Sequence, residues 1–352
     1  LLDDAITGGR TAIRIRFVGW VERSVTHRFL ELMGCTHPTK GGAQHQHRPT
    51  PRDKILGMSK TLTIGLVQHA CTEDRATNLA ASTAGIRDAV AQGAKVVVLP
   101  ELHTGVYFCQ SEDLRRFDQA EAVPGPTTQM LGVLAKELEI TIVGSVFERR
   151  AAGLYHNTAV VLDASGNLVG RYRKMHIPDD PGYYEKFYFT PGDQAFAPID
   201  ADGSRLGVLV CWDQWYPEAA RIMALHGAEL LLYPTAIGWD PRDDESERAR
   251  QHDAWCTIQR AHAIANGVPV IVCNRTGHEP DPSGAGPGID FWGSSFIVGP
   301  QGEMLAEAPT NEPAVLVAEI DRSRSEQVRR IWPFFRDRRI DAYGDLAKRY
   351  GD

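Results

Sequence analysis

The chain of 352 residues carries six cysteines, Cys35, Cys71, Cys109, Cys211, Cys256 and Cys273, and no two of them form a Cys-x-x-Cys pair. Scattered thiols of this kind exclude a zinc ribbon and a disulfide framework, and they fit a reducing cytoplasm. No apolar run approaches the roughly 20 residues needed to cross a bilayer, and the first residues lack the apolar stretch and cleavage site of a signal peptide. No membrane partner is therefore expected. An excess of basic charge is missing too. The net charge of −7 argues against nucleic acid as the main partner. What is present, 43% apolar and 24% charged residues, is ordinary for a soluble globular protein, and the length allows one large core or two modest ones.

Residues 1–58 read differently from the rest. Scattered Arg and His, the His45-Gln46-His47 cluster and the Gly41-Gly42 and Pro49-Thr50-Pro51 breakers leave only Ile13 to Val21 with an apolar pattern. Met58 stands just before the first convincing strand, so it is the expected natural start, and the preceding residues an extension without a fold. A metal-binding arm on His45 and His47 is the sharper alternative.

From Thr61 the pattern is regular. Leu62, Ile64 and Leu66 begin a strand, and Asp74 caps a helix with Leu79, Ala80, Thr83, Ile86 and Val90 on its inner face. Lys95 to Leu99 is a β-branched run typical of a strand covered on both sides. Pro126 to Leu138 is a second helix, and Ile140 to Glu148 another strand. Asn157–Asp163 and Leu168–Arg173 form a hairpin, followed by a long loop from Met175 to Phe196. The plan then repeats: the strand ending at Val210, a helix from Pro217, and the strand Glu229–Tyr233. A helix running to Asn266 follows, with Trp255, Ile258, Ala261 and Ala265 inward, then the strand Val268–Cys273. A hairpin of Trp292–Val298 with Glu303–Glu307 and a last strand, Val315–Ile320, complete it. Strands alternating with helices predict an α/β domain over 59–325 with sheets covered by helices. The tail, 326–352, holds Trp332, Phe334, Phe335 and Tyr343 without periodic partners, which suggests that it packs on something, with a neighbouring subunit as the candidate.

Three ionisable residues share one context. Glu101 follows the strand ending at Leu99, Lys174 ends the strand through Arg173, and Cys211 ends the strand through Val210. Sites in α/β sheets form beyond the carboxyl ends of strands. A thiol nucleophile, a carboxylate base and a fixed cation are what attack on a carbonyl or nitrile carbon requires. The turn before the helix at Pro217 and the nearby cation both favour the thiolate. Taken singly, Glu101 could cap a loop, Lys174 could be a solvated strand end and Cys211 could be core.

The segments Leu99-Pro100-Glu101-Leu102, Tyr172-Arg173-Lys174-Met175-His176-Ile177-Pro178 and Val210-Cys211-Trp212-Asp213 resemble, in order and spacing, the three signatures of the nitrilase (carbon-nitrogen hydrolase) superfamily. The likeness runs from about Thr61 to Tyr343. It implies a four-layer α-β-β-α sandwich that assembles into dimers or larger homo-oligomers. It also implies Glu101 as general base, Lys174 as oxyanion stabiliser, Cys211 as nucleophile, and Trp212 as donor of a backbone N–H to the oxyanion. Glu185 matches a second glutamate of the carbamoyl-hydrolysing and amidase branches. Tyr107-Phe108-Cys109-Gln110, Glu185 to Asp193, Cys211 to Ala220 and Trp332 to Arg339 point to the branch that cleaves a ureido amine, a small molecule, with no metal or organic cofactor. Another carbamoyl or amide hydrolase, acting on ureido acids or ω-amides, is the alternative. A ureido amine has a cationic far end. The acidic loop at Asp243, Asp244, Glu245 and Glu247 offers it a partner, so Tyr107, Trp212, Asp244 and Glu245 are the expected substrate contacts. Acidic residues favouring a helix N-terminus are the competing reading of that loop.

Overall fold

The computed structural model describes residues 60–351. The expectations for residues 1–58, including Met58 as the start and His45 with His47 as ligands, lie outside the described residues.

Strand β1 (Thr61–Gln68) leads into helix α1 (Arg75–Ala91), whose N-terminus is capped by Asp74 accepting the N–H groups of Ala76 and Thr77. Gly93, at φ +97°, turns the chain into β2 (Val96–Val98). Helix α2 (Pro126–Leu138) begins with proline at its first position, where no N–H is needed. Strands β3 (Thr141–Ala151), β4 (Leu154–Leu162) and β5 (Leu168–Arg173) follow, then the single helical turn α3 (Glu185–Tyr188).

The second half comprises β6 (Ile199–Ala201), β7 (Ser204–Val208), α4 (Pro217–Leu225), β8 (Leu230–Thr235), β9 (Gly238–Trp239), α5 (Glu245–Asn266) and β10 (Val270–Asn274). After these come β11 (Thr276–Glu279), β12 (Ile289–Trp292), β13 (Phe296–Val298), β14 (Met304–Glu307), β15 (Ala314–Asp321) and α6 (Arg322–Ile331).

One sheet runs β15-β1-β2-β3-β4-β5 and the other β6-β7-β8-β10-β13-β14. In each, three parallel strands are flanked by antiparallel ones. The halves therefore share one plan. Strand alternation assigns the layers. Ile64, Leu66, Val96 and Val98 join Val208, Leu232 and Val272 in a core common to both sheets. Their neighbours Val67, Val97 and Leu99 join Ile86, Leu131 and Ala135 of α1 and α2. The result is the four-layer sandwich expected from the sequence.

Both long helices bury faces that differ from the apolar ones. On α1 the inner residues are Asn78, Ser82, Gly85, Ile86 and Ala89. A Cβ on Gly85 would lie 2.2 Å from Val67 Cγ1, so small residues let this helix sit close on the sheet. On α5 they are Trp255, Gln259, His262, Ala263 and Asn266, and His262 Nε2 donates to the Gln214 carbonyl at 2.7 Å. Polar residues enter because each finds a hydrogen-bond partner. Trp292 belongs to β12 of a third sheet, β11-β12-β9, and not to the β13–β14 hairpin, because Gly293 and Ser294 at φ +62° and +50° break the strand between them. The expected boundary at 325/326 falls inside α6. Beyond that helix the tail folds back, setting Phe335 under the guanidinium groups of Arg329 and Arg221 at 4.7 and 5.1 Å.

Candidate active site

Glu101 comes two residues after Leu99, whose N–H is held by the Val143 carbonyl; its own N–H reaches the Thr235 carbonyl of the other sheet. Lys174 directly follows β5. Its N–H donates to the Asn157 carbonyl and its carbonyl accepts from Gly192 at 2.8 Å. A Cβ on Gly192 would lie 2.1 Å from the Arg173 carbonyl oxygen, so only glycine allows this crossing. Cys211 begins the 3-10 turn Cys211–Trp215 after β7 and has φ +43°. A left-handed non-glycine residue costs about 1–3 kcal/mol and is held only where its surroundings dictate it. Here the restraint is the buried Asp213. One of its oxygens accepts from Val210 N at 3.0 Å and Tyr172 OH at 2.9 Å, and the other from His176 N and Nδ1 at 3.1 and 2.7 Å. One carboxylate thus joins the Cys211 turn to both flanks of Lys174.

The charged groups converge in the interior. Lys174 Nζ lies 2.9 Å from Glu101 Oε1 and 2.8 and 2.7 Å from the two oxygens of Glu185, with all three side chains at 0% exposure. Asn157 Nδ2 donates to Glu101 Oε1 at 2.6 Å, and Tyr107 OH to Glu185 Oε1 at 2.6 Å. Among the described residues Glu101 Oε2 has no hydrogen-bond partner, which leaves an acceptor free for an incoming proton. Burial opposes the Lys174 charge, but the two carboxylates outweigh it and hold the ammonium well above its usual range. Burial raises Glu185 above the carboxylate range, with Lys174 pulling down and Glu101 pushing up. Two carboxylates around one ammonium leave the cluster one negative charge in excess, a condition that favours proton uptake.

Cys211 is 4% exposed, and its Sγ lies 3.7 Å from the Ala236 carbonyl. Burial and then the Glu101 charge push the thiol well above its ordinary value, and the pull of Lys174 is smaller. This corrects the expectation of a resting thiolate. The helix starting at Pro217 lies beyond the whole 3-10 turn, and desolvation dominates at the sulfur. A neutral thiol must lose its proton before it can attack, and Glu101, whose charge acts on this sulfur, is the candidate to take it.

Tyr107 and Glu185 belong to the cluster, where the Tyr107 hydroxyl gives its hydrogen to Glu185 and keeps its oxygen as an acceptor. Trp212 follows Cys211 in the turn, its ring 6.4 Å from that of Trp215. Asp244 and Glu245 are not brought to the cluster. Asp244 caps α5, accepting from Glu247 N at 2.8 Å, and Glu245 is exposed in the first turn. Asp243 and Glu247 accept from Gln251, and Glu247 from Arg250 as well. The helix N-terminus accounts for the acidic loop. Asn157, Asp213 and Tyr183 escaped the sequence reading. Asn157 is a polar residue inside an apolar strand, which was the available signal, and Asp213 stood within the quoted motif. Tyr183 has its hydroxyl on Gly238 and its ring 5.5 Å from that of Tyr107. It forms a wall of a cavity of about 440 Å³ that Glu112, Asp240 and Asp281 also line. Among the described residues Glu112 has no ion pair, whereas Asp240 is held by Arg242 and Asp281 by Ser283 and Gly286.

Comparison with known proteins identifies the family. The carbon-nitrogen hydrolase family matches residues 63–330. The N-carbamoylputrescine amidase of Solanum lycopersicum is 44% identical over 287 residues, covering 81% of this chain and 94% of that protein. The citrullinase of Francisella tularensis is 38% identical over 290 residues, 82% of this chain and 99% of its own length. Among solved structures, a carbon-nitrogen hydrolase from Helicobacter pylori G27 is similar at a TM-score of 0.81 and 52% identity, covering 83% of this chain and 100% of that one. The chain belongs to the carbon-nitrogen hydrolase family.

Proposed function

We propose that the protein hydrolyses N-carbamoylputrescine to putrescine, ammonia and carbon dioxide. The observation that carries this is the buried Lys174 ammonium bridging Glu101 and Glu185, in the electrostatic reach of a thiol on a strained turn. The two relatives named above supply the substrate class. Carbamoylputrescine and citrulline each place a ureido group at one end of a slender chain and an ammonium at the other, citrulline with a carboxylate beside it.

In the proposed cycle Glu101 takes the Cys211 proton and the sulfur attacks the ureido carbon. Lys174 and the Trp212 N–H hold the oxyanion. Loss of one such donor costs roughly 2.7–4 kcal/mol of transition-state stabilisation. Glu101 passes the proton to the departing nitrogen while Glu185 orients the ureido NH2. One water, deprotonated by Glu101, then attacks the thiocarbamate; its proton goes to the leaving sulfur, and the carbamic acid released loses carbon dioxide to free the second nitrogen. Per ureido group one water is consumed, and one amine, one ammonia and one carbon dioxide form. Glu112, the unpaired carboxylate of the 440 Å³ cavity, takes the place first given to Asp244 and Glu245 as partner of the ammonium end. We place the reaction in the cytoplasm, where the free cysteines among the described residues stay reduced. The exposed Ile331, Trp332, Phe334, Ile340 and Leu346 of the tail support a homo-oligomer that covers them.

Ammonia release should be compared across N-carbamoylputrescine, citrulline, N-carbamoyl-β-alanine and a short ω-amide. The first should lead in kcat/KM by at least about tenfold, which corresponds to 1.4 kcal/mol. Glu112→Gln should raise its KM and leave that of an uncharged carbamoyl analogue in place. Preference for the ureido acid or the ω-amide overturns the assignment.

A further inference from the structure

The loop after β2 bends sharply, with Leu102 at φ +48°, and it must hold Glu101 still against Lys174. Its restraint comes from the other sheet. Arg275 directly follows β10, at 0% exposure. Its Nη2 donates to the carbonyls of Glu101 and Leu102 at 2.7 and 3.0 Å, and its Nη1 to the carbonyl of Gly105 at 3.2 Å and to Glu279 Oε1 at 2.7 Å. The other oxygen of Glu279 accepts the Tyr107 N–H at 2.5 Å, and Tyr107 is the residue whose hydroxyl holds Glu185. The rings of Phe291 and Tyr107 lie 5.3 and 5.9 Å from the guanidinium carbon. A buried ion pair is poor evidence of stabilisation, since well-packed apolar groups often do as well. This pair spends its donors on the loop between the two carboxylates, which calls for a geometric explanation.

We propose that Arg275 and Glu279 are positioning residues for the reaction, a clamp that fixes Glu101 and, through Tyr107, Glu185 relative to Cys211. The role rests on the Cys211–Glu101–Lys174 reading of the site. Neither residue touches the reacting atoms. A planar fork is needed because three carbonyls and a carboxylate must be met at once, and a lysine offers one point charge instead. The clamp also explains how a base borne by the first half keeps register with a nucleophile borne by the second. It spans the two sheets at the height of the site.

The test is Arg275→Lys in the full-length protein, read by kcat, KM, melting temperature and the pH dependence of Cys211 alkylation by iodoacetamide. Displacement of a catalytic group by about 1 Å costs on the order of a hundredfold. We therefore expect kcat to fall about a hundredfold with KM within roughly threefold. Alkylation at pH 7 should slow in parallel, because the misplaced base no longer takes the proton, yet reach completion in alkaline buffer. A lower melting temperature with unchanged kcat per alkylatable thiol and an unchanged alkylation profile would overturn the proposal. If Arg275→Lys does not fold, Glu279→Gln, which keeps an acceptor for Tyr107, takes its place. Failure of both to fold assigns the pair to folding alone. Alkylation needs no substrate, so a wrong substrate assignment leaves this test intact. Alkylation at the same rate in Glu101→Gln as in the unaltered protein would remove Glu101 as the base and with it the reading on which the clamp rests. Alkylation that depends on Glu101 but not on Arg275 overturns the clamp alone.

Discussion

The two halves of the sandwich bring like positions to the site and fill them with unlike residues. Leu66 of β1 pairs with Val98 of β2, and Val208 of β7 pairs with Leu232 of β8. Three residues beyond each lie His69, Glu101, Cys211 and Thr235. The two middle positions meet across the sheets, where the Glu101 N–H donates to the Thr235 carbonyl. The first half gives its position after β2 to Glu101, the proposed base, and the second half gives its position after β7 to Cys211, the proposed nucleophile. The remaining two are structural: His69 shares Ser82 with His103 in a buried network, and the Thr235 hydroxyl lies 3.0 Å from the Tyr233 carbonyl and 3.3 Å from Gln214 Oε1. Neither half holds both thiol and base, so chemistry of the proposed kind requires the closed sandwich.

That division can be broken by substitution. Cys211→Ala should abolish ammonia release, by at least about 10⁴-fold, the loss typical of a removed nucleophile, with melting temperature kept; residual turnover above that would remove the thiol from the mechanism. Glu101→Gln should lower kcat about 10³-fold and make alkylation at pH 7 slow. The sign follows from the sulfur's surroundings. Burial, the larger cause, still holds the thiol protonated after the Glu101 charge is gone, so the remaining rate climbs about tenfold per pH unit until the thiol ionises. A rate flat with pH would contradict this. At the equivalent positions the effect should be on folding. His69→Gln and Thr235→Val should each cost roughly 1 kcal/mol in denaturant unfolding, one lost hydrogen bond, with kcat within about twofold. A Thr235→Val enzyme as slow as Glu101→Gln would show that the halves do not divide the work in this way.

The layers and the three strand-end residues were legible because they depend on local pattern: β-branched runs, caps such as Asp74, and motifs of adjacent residues. The faces of α1 and α5 were misread because Asn78, Ser82, Gln259 and His262 are buried with partners far away in sequence. The short β9 and β11 carry too few residues to announce themselves, which hid the third sheet. Asp244 and Glu245 were legible as acidic, but their charge serves a helix end. Arg275 was invisible for the opposite reason. Its partners at Glu101, Leu102 and Gly105 lie in the other half of the chain, and an arginine beside a strand reads as solvated.

The seclusion of Lys174, Glu101, Glu185 and Cys211 has a further consequence. A cell is crowded with amides, in every peptide bond and every asparagine and glutamine side chain, and a thiol with its own base and oxyanion donors is chemically able to attack them. Here Glu101, Lys174 and Glu185 are fully buried and Cys211 is 4% exposed, so under the proposed mechanism the surface of another folded protein does not meet the thiol.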